Sequence, residues 1–135
     1  MPRPTVLVAD DYCANLTLFT LYLRREYEVV TATSAEEAAE RITQGVDAAV
    51  LDLNYQGSMT GFDLIRQLRA DDRTAAVPAM ALTAHASPED RDACLAAGFD
   101  AYLSKPVMKA EMLEAVADLL AARGDSASPP AREAP

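Results

Sequence analysis

Three runs in this chain, Thr5-Val6-Leu7-Val8-Ala9, Ala48-Ala49-Val50-Leu51 and Ala79-Met80-Ala81-Leu82, are short and apolar without the alternation of a half-solvated strand. Such strands have both faces covered, the condition of a parallel sheet with helices packed on each side. Two weaker runs, Glu28 to Ala32 and Ala101 to Leu103, bring the set to five. Helical segments separate them. Residues Ala14 to Arg25 place Leu16, Phe19 and Leu23 at helical spacing. Ser34 with Glu37 three residues later forms a capping box whose helix runs to about Gln44, where Gly45 supplies a stop. Gly61 to Arg69 is a third helix. Ser87-Pro88-Glu89-Asp90 opens a fourth, with a serine cap, proline at the first helical position and acids in the first turn, and Gly98 ends it. Lys109 to about Ala122 is the last, closed by Gly124. The alternation predicts an α/β fold, a doubly wound five-stranded parallel sheet flanked by five helices.

With 135 residues, half of them hydrophobic, the chain suits one domain, placed at 1–124. Residues 125–135 lack apolar periodicity and are expected to be a disordered tail. A net charge of −9 argues against nucleic acid as a partner, since a phosphate backbone requires basic patches. No apolar run is long enough to insert in a membrane and the N-terminus shows no signal-peptide pattern, so the expected compartment is the cytoplasm. Cys13 and Cys94 are neither clustered nor beside a histidine, and are expected to be reduced thiols packed on helices.

Right-handed crossovers bring the C-terminal ends of all strands in such a sheet to one edge, where ligands bind. Asp10-Asp11, Asp52, Thr83 and Lys105 each lie at or just past such an end. Three acids and one lysine at one edge suit a divalent cation and a phosphoryl group, because crowded carboxylates repel one another and a bound Mg²⁺ relieves that repulsion.

Specific motifs accompany this placement. They are Asp10-Asp11 after Val-Leu-Val-Ala, with Asn15 in the following turn; Val50-Leu51-Asp52-Leu53-Asn54; Gly61-Phe62-Asp63-Leu64; Leu82-Thr83-Ala84; and Ala96-Ala97-Gly98-Phe99-Asp100-Ala101-Tyr102-Leu103-Ser104-Lys105-Pro106. In this order and spacing, over residues 4 to 123, the chain resembles a response-regulator receiver domain of two-component signalling, of the stand-alone type, whose fold is flavodoxin-like.

The resemblance implies that Asp52 accepts a phosphoryl group from the phosphohistidine of a sensor histidine kinase or histidine phosphotransfer protein. It implies Mg²⁺ as cofactor, held by Asp10, Asp11, Asp52 and the backbone carbonyl of Asn54, with Asp10 acting through water. Lys105 pairs with a phosphoryl oxygen, and the bond before Pro106 is expected to be cis. Thr83 then bonds the phosphoryl group and Tyr102 moves from an exposed to a buried rotamer, changing the surface that a downstream protein target reads. The family also implies a monomer or a phosphorylation-dependent dimer, and a slow loss of the phosphoryl group rather than small-molecule turnover. His85, two residues past Thr83, either faces the mouth of the site or is a solvent-facing loop residue; Asn15 caps or bridges backbone in its turn and is left outside the site.

One segment departs from the pattern. Asn54-Tyr55-Gln56-Gly57-Ser58-Met59-Thr60-Gly61 lacks the usual Met-Pro and is one residue longer, and Gly57-Ser58 adds backbone freedom. This loop is expected to be mobile without metal and better ordered with Mg²⁺ and a phosphoryl mimic. Rival readings are a phosphorelay intermediate, a receiver-like module that is never phosphorylated, and an aspartyl-phosphate hydrolase of the haloacid dehalogenase type. The hydrolase needs a second acid two residues after its nucleophile, where this chain has Asn54.

Overall fold

The structure is a computed structural model and describes residues 3–55, 59–84 and 87–124. The expectations placed on Gln56 to Ser58, on His85 and on the tail 125–135 lie outside the described residues. Ten elements alternate without exception: β1 (Thr5–Ala9), α1 (Cys13–Leu23), β2 (Glu28–Ala32), α2 (Ala35–Thr43), β3 (Ala48–Asp52), α3 (Gly61–Ala70), β4 (Ala79–Thr83), α4 (Pro88–Ala97), β5 (Ala101–Ser104) and α5 (Lys109–Gly124). All neighbours in the sheet are parallel, in the order β2-β1-β3-β4-β5. The doubly wound five-stranded sheet is therefore as expected.

Side chains along the central strands divide with period two between two cores. Leu7, Ala9, Ala49, Leu51, Ala79 and Ala81 face a layer built by α2, α3 and Cys94 of α4. Val6, Val8, Val50, Met80 and Leu82 face α1 and α5, where Phe19, Leu23, Met112 and Val116 pack. Alanines predominate on the first face and again on α2 (Ala35, Ala38, Ala39), which lets these layers approach closely. Because β1, β3 and β4 are covered on both sides, their backbone polar groups find partners in the ladder and the strands end together at one edge.

Strand ends run one residue further than their apolar pattern. Asp52, Thr83 and Ser104 are the last residues of β3, β4 and β5 rather than the first residues beyond them. The ladder persists because the amides that follow are still satisfied: Leu53 N–H donates to the Leu82 carbonyl at 3.2 Å and Lys105 N–H to the Thr83 carbonyl at 2.7 Å. Helix α1 begins at Cys13 and stops at Leu23, a shift of one or two residues from the sequence reading. Cys94 is buried as expected, whereas Cys13, at the start of α1, is exposed.

The caps explain most helix starts. Ser34 Oγ accepts the Glu37 amide at 3.0 Å, but Glu37 reaches back to Thr33 N–H (2.7 Å) rather than to the amide of Ser34. A full reciprocal box stands at α3, where Thr60 Oγ1 and the Asp63 carboxylate exchange bonds with each other's amides at 3.1 Å. Ser87 Oγ caps α4 at 3.1 Å. Gly98, at φ 124°, ends α4 in a conformation that an L side chain resists.

Arg69, near the end of α3, fastens α3 to its neighbours. Its guanidinium donates to the carbonyls of Val77 (2.6 Å), Gly98 (2.9 Å) and Ala75 (3.0 Å) and to Asp100 Oδ2 (2.9 Å), and that same oxygen accepts the Ala79 amide at 2.9 Å. At the opposite end of α3, Gly61 N–H donates to the Leu53 carbonyl at 2.9 Å, bringing the helix hard against the end of β3. A Cβ on Gly61 would stand 2.5 Å from the Asp52 carbonyl oxygen and 2.6 Å from Leu53 Cα, both of them backbone atoms that cannot swing aside. Gly61→Ala is therefore expected to destabilise the protein by about 2–3 kcal/mol, seen as a lower urea midpoint. A midpoint equal to that of the parent would contradict this packing.

Candidate functional site

Strand register assembles the site. Ala9 pairs with Leu51, so Asp10, the next residue on the β1 side, stands beside Asp52. Asp52 pairs with Leu82 and Thr83 with Ser104, which brings Thr83 and then Lys105 to the same edge. Asp10, Asp11 and Asp52 each offer a carboxylate oxygen, all within 4.8 Å of one another. Asp10 is 1 % exposed and Asp52 is 5 % exposed, so much of this charge is withheld from water.

Asp10 accepts three hydrogen bonds. Its Oδ1 accepts Tyr12 N–H at 2.9 Å, and its Oδ2 accepts both the Asn15 side-chain amide at 3.1 Å and Lys105 Nζ at 3.0 Å. Lys105 Nζ also lies 3.2 Å from Asp52 Oδ2 and so bridges the ends of β1 and β3. Asp52 Oδ1 receives the amide of Asn54 at 3.4 Å, while the Asn54 side chain is exposed.

Three carboxylates facing one ammonium leave the site short of positive charge. Burial, together with the charge of Asp10, pushes the Asp52 carboxyl above its ordinary range despite the opposing pull of Lys105. At Lys105 burial works against the charge, but the hydrogen bond to Asp10 and the charges of Asp52 and Asp10 outweigh it and hold the ammonium above its ordinary value. Both shifts express one fact: the site binds positive charge readily and carries its own negative charge at a cost. Clustered hard oxygen donors of this kind fit a divalent cation that retains some of its waters.

Thr83 is 2 % exposed at the end of β4. With Leu53, Asn54, Thr60, Phe62 and Asp90 it lines a cleft of about 210 Å³ beside the acids. Tyr102 is half-buried on β5 and packs against the core layer under α4, where slight burial and the charge of Asp90 raise its phenol pKa. The Lys105–Pro106 bond is cis.

Two residues that the sequence reading left outside the site belong to it. Asn15 spends its amide on the Asp10 carboxylate rather than on backbone. Tyr55, in the atypical loop, brings its hydroxyl 3.4 Å from the Ala9 carbonyl, and burial followed by the charges of Asp52 and Asp10 pushes its phenol far upward. The phenol is therefore a neutral donor on the flank of the acid cluster. An aromatic residue three positions after Asp52, in a stretch otherwise polar, was the available signal.

Comparison with known proteins agrees with this geometry. The family model of the response regulator receiver domain matches residues 6–117. Over 128 residues the chain is 34 % identical to the sensory/regulatory protein RpfC of Xanthomonas campestris, covering 92 % of this chain and 18 % of RpfC. It is 40 % identical over 127 residues to the transcriptional regulatory protein PrrA of Mycobacterium tuberculosis, covering 93 % of this chain and 53 % of PrrA, so it spans about half or less of these relatives. The crystal structure of the receiver domain of the sensor histidine kinase PA1611 from Pseudomonas aeruginosa, which has a magnesium ion coordinated in its active-site cleft, superposes with a TM-score of 0.80 at 29 % identity, over 88 % of this chain and 98 % of that one. The chain belongs to the family of response regulator receiver domains of two-component signalling.

Proposed function

We propose that this domain is a Mg²⁺-dependent switch that accepts a phosphoryl group on Asp52 from the phosphohistidine of a sensor histidine kinase or histidine phosphotransfer protein. The observation that carries this reading is the cluster of Asp10, Asp11 and Asp52 within 4.8 Å, with Lys105 bonded to two of the three. Receiver domains as a family are signalling switches, which agrees with a site that modifies its own residue rather than turning over a small molecule.

Asp10, Asp11 and Asp52 would hold the ion, with the Asn54 carbonyl as a further oxygen donor. Mg²⁺ supplies charge neutralisation for the incoming phosphoryl oxygens. A carboxylate oxygen of Asp52 forms the new bond to phosphorus as the phosphorus–nitrogen bond of the donor breaks, and the imidazole leaves with that electron pair. Lys105, already 3.2 Å from Asp52, exchanges its carboxylate contact for a phosphoryl oxygen. Asp10 keeps the Asn15 amide and the Tyr12 N–H when the lysine departs. Thr83 then offers its hydroxyl to the phosphoryl group, and the loop it starts carries the change toward Tyr102 and the surface of α4, β5 and α5. Tyr12, Leu18 and Met108, exposed apolar residues around this edge, give the donor protein a surface on which to dock. A downstream protein target reads the switched surface. Among the described residues no helix is long and apolar enough to cross a membrane.

Beryllofluoride with Mg²⁺ tests the reading directly. When beryllofluoride is added to protein already saturated with Mg²⁺, amide and tyrosine NMR resonances around Asp52, Thr83 and Tyr102 are expected to shift in the parent and to stay in place in Asp52→Asn. Absence of the shift, or its persistence in the variant, would overturn the assignment. A second outcome concerns stability. The folded state holds Asp52 with a raised pKa, so an ionised Asp52 opposes folding at neutral pH. Asp52→Asn is therefore expected to melt higher than the parent without metal, by about 4 °C for each kcal/mol recovered. Millimolar Mg²⁺ should narrow that gap by stabilising the parent more than the variant, which keeps Asp10 and Asp11 but loses one carboxylate; a variant that melts lower in metal-free buffer would contradict it.

A further inference from the structure

Helix α1 touches the site twice. Asn15, in its first turn, holds Asp10, as described above. At the other end of the helix, Tyr22 donates its hydroxyl to the carbonyl of Val107 at 3.0 Å, across 85 positions of sequence. Val107 lies two residues after Lys105 and is 4 % exposed, packed in the core with Leu16, Phe19 and Leu23 of α1 and Met112 of α5. The Tyr22 ring packs on the same core, with its centroid 6.0 Å from that of Phe19. Upstream, Lys105 N–H is tied to the Thr83 carbonyl at 2.7 Å. The three-residue segment Lys105-Pro106-Val107 is thus held at one end by β4 and at the other by α1.

We propose that Tyr22 is a positioning residue for Lys105: its hydroxyl fixes the backbone after the lysine against α1 and so sets where the ammonium sits between Asp10 and Asp52. The proposal rests on the functional reading above only for its kinetic consequence.

Asn15, Phe19 and Tyr22 line a groove of about 390 Å³ together with Lys105, Pro106 and Val107, so the lysine and the tyrosine share one wall. Removing the hydroxyl leaves the ring in place but strands a carbonyl on a buried residue, and the segment gains a reason to shift toward another donor. The lysine has two partners at 3.0 and 3.2 Å, so a shift of its backbone must be taken up by its side-chain torsions or lost from one of these contacts. Phosphoryl transfer depends on such positioning, and displacements of about 1 Å cost rate steeply.

Tyr22→Phe tests this in two arms. In metal-free protein, the Lys105 side-chain methylene and ammonium resonances report whether Nζ still bridges Asp10 and Asp52. They are expected to move in Tyr22→Phe while the protein stays folded by its amide spectrum; unchanged Lys105 resonances would overturn the proposal whatever the function. In the kinetic arm, phosphorylation by acetyl phosphate at saturating Mg²⁺ is expected to slow by about 3- to 10-fold in Tyr22→Phe, with Mg²⁺ affinity within about 2-fold of the parent. On a Lys105→Met background the same substitution is expected to have no further effect. An equal loss on both backgrounds would show a general structural role and overturn the proposal. A parent that forms no Asp52-dependent adduct would overturn the functional reading instead, leaving the Lys105 resonances to decide the link to Tyr22.

Discussion

Three carboxylates drawn together at the edge of a buried sheet, with one ammonium between two of them, form the interaction on which the rest of this structure turns. Like charges at this separation, partly removed from water, repel strongly, and a fold tolerates them only where something else holds the backbone in place. Here the ladder does so. Strands β1 and β3 are covered by helices on both faces, and their register leaves no freedom to slide the acids apart. The core thus supplies the stability that the site consumes. The raised pKa of Asp52 is the signature of that arrangement, and a bound cation is the natural way to relieve it.

The same scaffold ties the site to distant surface. Lys105 bridges Asp10 and Asp52, and its backbone hangs between β4 and α1. Gly61 lets α3 press against the carbonyl of Asp52, and Arg69 at the far end of α3 grips the turn between α4 and β5. Helices α1 and α3, which both border the site, therefore each have a second anchor elsewhere. A charge change at Asp52 acts on elements that already share hydrogen bonds, the condition for a local event to bias a larger surface.

Much of this was legible in the sequence, and the physical reason is that it depended on local signals. Unbroken apolar runs gave three strands and two weaker runs the others, while caps such as Ser34, Ser87 with Pro88, and the glycine at 98 gave helix ends. Topology then predicted that Asp10, Asp11, Asp52, Thr83 and Lys105 share an edge, and the structure gathers them there. What remained hidden depended on contacts that form only in the folded chain. Asn15 reads as a turn residue until Asp10 is seen beside it, and no sequence pattern marks the bond of Tyr22 to the Val107 carbonyl or the four acceptors around Arg69. Tyr55 is an isolated aromatic in the loop that lacks the usual proline. Its role follows from the Ala9 carbonyl, 46 positions away.

The claim that these residues form one phosphoryl-accepting site is tested most directly by locating the phosphoryl group itself. Protein treated with acetyl phosphate and Mg²⁺ can be reduced with borohydride, which converts an aspartyl phosphate to a stable alcohol, and then digested and sequenced by mass spectrometry. The account predicts a single reduced residue, at position 52. Reduction at Asp10 or Asp11 instead, or at no residue under conditions that leave the fold intact, would contradict it.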